Sequence, residues 1–179
     1  PRYGEFLQGL GLETHLTGMT AGQRARVAQL TQRTNQFNFT TVRRSEAELQ
    51  QLLDAGTHQI WTSQVSDRFG DYGLVGVVIS RRDPDRLSVD SFMLSCRVLG
   101  RGVEHAMLAH LGQLALDSGL EWVEATFIPT AKNPPALRFL EAVGARFRHE
   151  AEGRTLFRFP AAYAAGVTFS PEEVDQRDL

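Results

Sequence analysis

The chain has 179 residues, of which 42% are hydrophobic and 22% are charged, and its formal net charge at pH 7 is −2. These values are typical of one globular domain and exclude a disordered chain. The nearly balanced charge creates no overall field that would attract nucleic acid or an anionic membrane. No apolar run approaches the roughly 20 residues that a membrane-spanning helix needs.

Cys96 is the one cysteine of the sequence, which excludes a disulfide within the chain and favours a reducing compartment such as the cytoplasm. The first residues carry no long apolar segment and do not indicate a signal peptide. Because the sequence begins with Pro1 rather than methionine, we consider both a stand-alone domain and an excised part of a longer protein. We divide the chain into a lead-in or linker at 1–11, a domain at 12–159 and a tail or linker at 160–179.

The first part of the domain is predicted to contain one strand and two helices. Alternating polarity predicts a strand at 12–17, and Thr20 is a plausible N-cap for a helix that ends at Arg33. A polar loop with two phenylalanines follows at 34–41. Ser45 and Glu48 have the spacing of a capping box, which predicts a second helix that ends before Gly56.

The second part alternates strands with helices. Strands are predicted at 58–65, 72–80 and 87–94, followed by a helix from Gly102 to Asp117 and a strand at 121–128. Asn133-Pro134 starts a last helix that ends at Gly144, and a hairpin of 145–150 and 154–159 closes the domain. A helix between two such strands implies a right-handed crossover, so the fourth and fifth strands are expected to be parallel.

The junction between the fourth strand and the third helix contains Gly100 and Gly102. Glycines here let the backbone approach a ligand closely, and the first N–H groups of the helix point toward it. This is the chemistry of a phosphate cradle, although the same glycines fit a simple tight turn equally well.

Two motifs resemble those of the GNAT acyltransferase superfamily. The stretch at 97–102, Arg-Val-Leu-Gly-Arg-Gly, is similar to the Arg-x-x-Gly-x-Gly loop of that family. A second signature of the family, Asn-x-x-Ala-x-x-Phe-Tyr-Glu-x-x-Gly-Phe, is matched at Asn133, Ala136, Phe139, Glu141 and Gly144. The resemblance covers residues 12–159 and favours the phosphate cradle over the simple turn.

The resemblance implies an α/β (α+β) fold with a mixed, mostly antiparallel sheet of about seven strands and helices on both faces. Strands 4 and 5 would form a splayed parallel pair whose slot takes a pantetheine arm, belonging to coenzyme A or to a carrier protein. A backbone amide near Phe92 and Met93 would polarise the acyl carbonyl, and Asn133 would border the cofactor. The amides expected to receive the pyrophosphate or phosphate are those of Arg97, Val98, Leu99, Gly100, Arg101 and Gly102.

A narrower resemblance concerns the stretches at 31–38, 67–76, 95–104 and 129–133, which are similar to the C-terminal GNAT-like region of FkbH-like proteins of polyketide biosynthesis. That family implies an upstream HAD-type phosphatase domain and the loading of a glyceryl unit onto an acyl carrier protein. The HAD motif Asp-x-Asp-x-Thr does not occur in the sequence. The chain would therefore be the C-terminal part of such a protein or a stand-alone relative, with acyl-CoA or an acyl carrier protein as partner.

The same four stretches place polar residues at one end of the predicted sheet. The third strand is antiparallel to the fourth, so the turn that precedes it lies beside the carboxyl end of the fourth strand. Polar residues crowded where strands splay indicate a site rather than a solvated face. The residues that we interpret as substrate-binding are Asn35, Phe37, Asn38, Asp67, Arg68, Asp71 and Thr130.

Acyl transfer to an amine needs a base, and the leaving thiolate needs an acid. Asp90 and Glu124 are carboxylates that could face the slot, although a surface position is an equal alternative for Asp90. Leu140 replaces the tyrosine that serves as the acid in the family, which leaves Tyr72 or water for that role. Cys96 is a candidate thioester-forming nucleophile, but a buried, inert cysteine is the favoured interpretation.

No metal-ligand spacing is present, and His105 and His110 are interpreted as surface or packing residues. Three functions stay open. The first is an acyltransferase-type domain that binds a phosphopantetheine thioester. The second is a non-catalytic module that docks a carrier protein, and the third is a stand-alone N-acetyltransferase of a small amine.

Overall fold

The computed structural model describes residues 12–170, and the predicted lead-in at 1–11 lies outside this range. The strands are β1 (Glu13–Gly18), β2 (His58–Asp67), β3 (Gly70–Arg82), β4 (Arg86–Leu94), β5 (Trp122–Phe127), β6 (Arg148–Ala151) and β7 (Arg154–Pro160). The helices are α1 (Arg24–Arg33), α2 (Glu46–Ala55), α3 (Val103–Asp117), α4 (Pro134–Gly144) and α5 (Ala161–Ala165).

The strands form one sheet in the order β1-β2-β3-β4-β5-β7-β6. The β4–β5 pair is parallel, and the other neighbouring pairs are antiparallel. Helix α3 makes the crossover between the two parallel strands, as a parallel connection requires. The predicted mixed sheet of seven strands with helices on both faces is confirmed.

Helices α1 and α2 cover one face of the sheet. Ser45 is the N-cap of α2: its hydroxyl accepts from the Glu48 N–H at 3.1 Å, and the Glu48 carboxylate accepts from the Ser45 N–H at 3.1 Å. The predicted capping box is therefore present, and Gly56 ends the helix with φ +68°. The buried residues of this layer are Val27, Ala28, Leu30, Leu49, Ile60, Val77, Ile79 and Met93.

Helices α3, α4 and α5 cover the opposite face, which holds the larger of the two cores. Seven buried phenylalanines and the central strands contribute to it, together with the buried stripe of α3. Burial of each such side chain contributes about 1.5–3 kcal/mol, so this face carries much of the fold's stability. The fully buried large residues of this core include Phe37, Phe39, Phe92, Phe127, Phe157 and Phe159.

Two connections differ from the prediction. Strands β2 and β3 extend to Asp67 and Gly70, so most of the expected Ser66–Asp71 connection is strand and the turn itself is short. Residues 145–147 form a 3-10 helix rather than the start of a strand. In both places the strand ends where its hydrogen bonds to the neighbouring strand end. Local composition does not predict this pairing.

The segment predicted as a tail or linker begins with a packed helix. Ala161 and Ala164 of α5 are buried, and α5 lies directly on α3. A Cβ at Gly112 of α3 would stand 2.2 Å from the backbone nitrogen of Ala165, so the two helices touch backbone to backbone. Small residues on both sides permit this approach, and the packed part of the chain therefore continues beyond 159. The domain boundaries themselves stay a prediction.

Between residues 12 and 170 no helix combines the length and the apolar character that crossing a bilayer would require.

Candidate functional site

The parallel strands β4 and β5 pair only along their first halves. The pairing joins Arg86–Val89 to Trp122–Ala125, and beyond these residues the two strands no longer pair with each other. A gap therefore opens between their carboxyl ends, at the place where the sequence predicted a slot.

Residues Phe37–Thr40, here called the gap segment, lie in this opening. The Phe39 N–H donates to the Phe92 carbonyl at 3.1 Å, and the Leu94 N–H donates to the Phe37 carbonyl at 3.0 Å. On the other side, the Ile128 N–H donates to the Phe39 carbonyl at 2.9 Å. The gap segment thus bridges the two strands with hydrogen bonds of the kind that a sheet ladder makes.

The gap segment contacts Phe92 and Met93, whose role in polarising an acyl carbonyl stays a prediction. The Phe92 carbonyl is used by Phe39, and Met93 forms a bridge pair with Asn38 while its side chain packs in the core below α1. The edge of β4 that was expected to hold a pantetheine arm therefore holds the protein's own backbone. A polar backbone edge in a buried position must be paired, and Phe37–Thr40 pairs it.

Asn38 and Asn133 hold the gap segment in place. The Asn133 amide donates to the carbonyls of Asn38, at 3.0 Å, and of Ile128, at 2.9 Å, and its Oδ1 accepts from the Thr130 N–H at 2.7 Å. Asn38 in turn donates to the Thr34 carbonyl at 3.1 Å. Both asparagines are fully buried, and the cofactor role of Asn133 and the substrate role of Asn38 stay predictions.

The other loop residues that were expected to bind substrate also serve the local structure. Asn35 accepts a hydrogen bond from Arg43, which also donates to the Thr34 carbonyl. The Thr130 hydroxyl accepts from the backbone N–H groups of Lys132 and Asn133. These side chains shape the turns before α2 and α4, where short polar side chains commonly bond to nearby backbone.

The loop before α3 satisfies most of its own amides. Residues 96–98 form a 3-10 turn in which the N–H of Val98 donates to the Ser95 carbonyl at 3.2 Å and that of Leu99 to the Cys96 carbonyl at 3.4 Å. The Arg97 N–H donates to the Ser95 hydroxyl at 3.4 Å. Three of the six amides of the predicted cradle at 97–102 are therefore bonded within the protein, and the cradle stays a prediction. Gly100 has φ +80° and Gly102 has φ +92°, conformations that favour glycine.

The arginines of this loop turn toward β3. Arg97 Nη2 donates to the Tyr72 carbonyl at 3.3 Å, and Arg101 Nη1 donates to the Tyr72 hydroxyl at 3.3 Å. The Tyr72 hydroxyl donates to Asp67 Oδ2 at 2.7 Å, and this hydrogen bond is the main reason that the pKa of Asp67 lies below its usual value. The backbone N–H groups of Phe69 and Gly70 lower the pKa further.

The β2–β3 turn lies next to this cluster. Asp67 Oδ1 accepts from the backbone of Phe69 and Gly70, and Asp71 accepts from the Gly73 N–H at 2.7 Å. Arg68 stacks over the ring of Phe69, which is 69% exposed. The carboxylates of Asp67 and Asp71 are thus turn-forming acceptors, and the structure places the turn beside the loop of Arg97 and Arg101, as the sequence indicated.

A cavity of about 770 Å³ lies between α3, α4 and the chain that follows α5. It begins at Leu99 and Gly100 and passes beside the buried ring of Phe37. Of the residues predicted from the sequence, these three line the cavity. The side chains that form most of its wall are Glu104, His105, Arg138, Phe139, Tyr163 and Phe169.

Glu104 is the unusual member of this wall. Its side chain is 6% exposed, its Oε2 has no hydrogen-bond partner in the described structure, and its Oε1 lies 3.8 Å from His105 Nδ1. Burial raises the pKa of Glu104 to about 7, while hydrogen bonds from its own backbone N–H and that of Gly100 oppose the rise. The carboxyl group therefore takes the place beside Gly100 that an anion would occupy.

Asp90 does not face the cavity. The β3–β4 register shifts between Ile79 and Ser80, so that Ser91 and Val89 are paired while Asp90 is not. Its carboxylate turns to His58 Nε2, at 3.0 Å, and lies 3.9 Å from Arg81 Nη1. A β-bulge re-aims the side chain of its extra residue, and the sequence pattern carried no sign of it.

Glu124 is also remote from the open end. It pairs with Ser88 in the parallel part of the sheet, and Arg86 and Arg158 contact its carboxylate at 3.6 and 3.9 Å. This is an ion-pair cluster and not the border of the gap. Tyr72 lies beside Asp67 and Arg101 instead of lining the cavity. Tyr72, Asp90 and Glu124, the residues expected to transfer protons, therefore do not come together in one site.

Cys96 is exposed at the start of the 3-10 turn, so the expectation that it is buried is wrong. It does not line the cavity. Within residues 12–170 no cluster of three or more His, Cys, Asp or Glu side chains is placed to hold a metal ion.

The sequence reasoning missed Glu104. It stands four residues before Leu108 and seven before Leu111, both of which are buried on α3. A carboxylate at helical spacing on an apolar stripe is a detectable signal, because an unpaired charge is rarely buried there. His105 is half-buried against Phe139, with ring centroids 5.0 Å apart, as a packing interpretation predicts.

Solved acetyltransferase structures share this architecture. The ribosomal-protein-S18-alanine N-acetyltransferase from Escherichia coli matches with a TM-score of 0.60 and 14% identity, over 83% of this chain and 94% of that chain. A protein from Desulfovibrio desulfuricans assigned to the GNAT family matches with a TM-score of 0.62 and 15% identity, over 84% of this chain and 99% of that one. Spermidine N-acetyltransferase from Vibrio cholerae, solved with CoA and spermine, matches with a TM-score of 0.58 and 13% identity, over 84% of this chain and 97% of that chain.

The sequence matches no protein-family model and no curated protein. At 13–15% identity the structural similarity concerns the fold. The seven-stranded mixed sheet, its parallel β4–β5 pair and the helix placement show that the chain has the fold of the GNAT acetyltransferases.

Proposed function

We propose that this chain is a GNAT-type acyltransferase domain that binds a phosphopantetheine thioester. The observation that carries the proposal is the cavity of about 770 Å³ at the glycine loop, between α3 and α4. Ligand sites are concave and largely apolar, and they carry a few polar groups that orient the ligand. Here Leu99, Phe139 and Phe169 supply apolar walls, and Glu104 and Arg138 supply polar groups.

The chemistry of the cavity wall suits a pantetheine arm. The arm is an extended chain with two amides, so it needs apolar walls and a few hydrogen-bond partners. In the glycine loop, by contrast, the amides of Arg97, Val98 and Leu99 are already bonded within the protein. These three amides are therefore not available to a phosphate group.

The donor and the acceptor are part of the proposal. The resemblance of four stretches to FkbH-like proteins favours loading of a glyceryl or related acyl unit in polyketide-type secondary metabolism, with acyl-CoA or an acyl carrier protein as partner. An upstream HAD-type domain would then belong to the same full-length chain. The solved relatives include enzymes described with spermine and with kanamycin, so a small amine is the alternative acceptor.

One observation favours a second candidate function, a non-catalytic module that docks a carrier protein. Phe37–Thr40 fills the gap between β4 and β5, and Leu140 is fully buried where the family's tyrosine acid would stand. Asp90 and Glu124 are held in ion pairs away from the cavity. As a docking module, the chain would use the cavity to position the pantetheine arm for a reaction that a neighbouring domain catalyses.

The binding test uses a variant that fills the cavity from its surface. Ala142 lines the cavity from an exposed position on α4, and Ala106 is exposed on α3 without lining it. We expect pantetheine to raise the Tm of the wild-type chain and of Ala106→Trp but not that of Ala142→Trp. An equal shift in both variants, or none in the wild type, would contradict the proposed site.

The activity test separates the two candidate functions. The chain is incubated with an acyl carrier protein or with spermine and with thioester donors, and the products are measured by intact mass. Transfer to the carrier protein or to the amine that Ala142→Trp abolishes supports the acyltransferase. Binding of the arm without transfer to any acceptor supports the docking module.

A further inference from the structure

A second cavity, of about 320 Å³, lies where β2 begins and β3 ends. None of its lining residues lines the larger cavity at the glycine loop. Its volume is at the lower end of the range of small-molecule sites, so it can hold a compact ligand. The residues that line it are Gly56, Thr57, His58, Gln59, Arg81 and Arg82.

The side chains of Thr57, His58 and Asp90 form a chain of two hydrogen bonds at this cavity. The Thr57 hydroxyl lies 2.8 Å from His58 Nδ1, and His58 Nε2 lies 3.0 Å from Asp90 Oδ2. An ionised carboxylate can only accept, so Nε2 carries the proton that it donates to Asp90. In the neutral imidazole Nδ1 is then an acceptor, and the Thr57 hydroxyl donates to it.

The exposure of the three side chains suits a reaction at the hydroxyl. Thr57 is exposed and lines the cavity, whereas the side chains of His58 and Asp90 are 16% and 27% exposed. A ligand can therefore reach the hydroxyl, while the imidazole is held between two partners. A hydroxyl, a base within hydrogen-bond reach and a third group that orients the base are the arrangement that activates a nucleophile.

The backbone fixes this arrangement. Gly56 ends α2 with φ +68°, and His58 pairs with Arg81 in the β2–β3 ladder, so Thr57 stands on a short link between two defined elements. The register shift of the β3–β4 pair turns the Asp90 carboxylate to His58. Bulges are over-represented next to active sites, where they re-aim side chains in this way.

Two arginines give the cavity a positive wall. Arg81 Nε lies 3.3 Å from Asp83 and its Nη1 lies 3.9 Å from Asp90, so these carboxylates offset its charge. Arg82 Nη2 donates to the Ser118 carbonyl at 2.9 Å, which is neutral, and the charge of Arg82 can therefore attract an anion. Each guanidinium has five N–H donors, enough to bind a ligand oxygen as well. Such donors stabilise the negative oxygen of a tetrahedral intermediate.

We propose that Thr57, His58 and Asp90 form a hydrolytic site for small esters that carry a negative charge. The Thr57 oxygen attacks the ester carbonyl while His58 Nδ1 takes the hydroxyl proton. The bond to the leaving oxygen then breaks, His58 returns the proton to the leaving alcohol or phenol, and the acyl group stays on Thr57. Water, deprotonated by His58, attacks this acyl group, which releases the acid and restores the hydroxyl.

Asp90 does not line the cavity and is a positioning residue, which holds the imidazole in the tautomer that leaves Nδ1 free to accept. The activity goes beyond the proposed acyl transfer and uses no residue of the larger cavity, so either can fail without the other.

The probe is 4-acetoxybenzoate, an acetyl ester whose leaving group carries a carboxylate, and its methyl ester is the neutral comparison. Absorbance at pH 8 measures the released phenol, and peptide mapping by mass locates the acetyl group on the protein. We expect hydrolysis by the wild type with kcat/KM at least tenfold higher for the charged ester, and an acetyl group on Thr57. Thr57→Val is expected to abolish both, while Thr57→Ser keeps at least a tenth of the activity.

Further variants separate the roles of the neighbours. Asp90→Asn is expected to lower kcat at least tenfold with KM changed less than twofold. Arg82→Gln is expected to raise KM at least fivefold for the charged ester only. His15→Gln, which removes an exposed imidazole that lies 3.8 Å from Glu13, is the control and must leave hydrolysis unchanged. The absence of hydrolysis in the wild type, its persistence in Thr57→Val, or an acetyl group on another residue would overturn the inference.

Discussion

The side-chain amide of Asn133 donates a hydrogen bond to the backbone carbonyl of Asn38, at 3.0 Å. The same side chain bonds to Ile128 and Thr130, so one buried residue joins the gap segment, the end of β5 and the start of α4. Asn133 precedes Pro134 as a helix cap would, yet its side chain makes no capping bond within α4. Its position satisfies backbone groups of three different segments instead.

Asn133→Ala is expected to lower the free energy of unfolding by about 3 kcal/mol, because one buried and two partly buried hydrogen bonds are lost and their backbone partners are left unpaired. Urea unfolding measures the loss. Asn35→Ala is the matched control: Asn35 is half-buried and accepts one side-chain bond, so its loss is expected to be below about 1.5 kcal/mol. Similar losses in both variants would show that Asn133 does not hold the gap segment.

Gly112→Ala tests the contact between α3 and α5. The new Cβ would stand 2.2 Å from the Ala165 nitrogen, so α5 has to move. We expect a loss of about 1–3 kcal/mol on urea unfolding, even though alanine is the better helix former. Gly18→Ala, whose Cβ meets no atom within 4 Å, is expected to change the stability little. Stabilisation by Gly112→Ala would contradict the packing described here.

Glu104 gives the stability a defined dependence on pH. Burial raises its pKa in the folded chain to about 7, above the value of 4.5 for an unperturbed glutamate, so folding favours the protonated form. The stabilisation is complete below pH 4.5 and is lost as the pH rises to 7; a shift of this size corresponds to about 3 kcal/mol.

The measurement is urea unfolding at pH 5, 6, 7 and 8 for the wild type and Glu104→Gln. The difference between them isolates Glu104, because the lowered pKa of half-buried His110 acts with the opposite sign in both chains. We expect the wild type to lose stability relative to Glu104→Gln between pH 5 and 7. A difference that does not change with pH would show that Glu104 keeps its ordinary pKa in the folded chain.

Tyr72→Phe tests the cluster beside the glycine loop. The Tyr72 hydroxyl is the main cause of the lowered pKa of Asp67, so its removal raises that pKa toward the usual value. A carbon-detected NMR titration of the Asp67 carboxyl measures the change. Arg68→Gln, which alters the neighbouring turn residue stacked on Phe69, is expected to leave the pKa of Asp67 where it is. No change in Tyr72→Phe would refute the hydrogen bond as its cause.

Local signals predicted the fold well. The Ser45 capping box, the glycine at the end of α2 and the crossover through α3 each depend on residues close together in the chain, and each is present. The site was harder because it depends on pairing between distant segments. The bulge at Asp90 and the insertion of Phe37–Thr40 between β4 and β5 have no local signature, so the partners of Asp90, Asn133 and Phe92 could not be predicted. Glu104 was missed although a local signal was present, since its helical spacing places it on the same stripe as Leu108.

The gap segment also bears on how the chain folds. Phe37–Thr40 lies early in the sequence, whereas its partners on β4 and beyond β5 are made much later. Until Ile128 has been synthesised, the outer edge of the gap segment stays open, and an unpaired edge of this kind can pair with another chain. Such distant contacts cost loop entropy before they stabilise anything, which slows folding. Variants that weaken the gap segment are therefore expected to aggregate during synthesis before they show any loss in the purified protein.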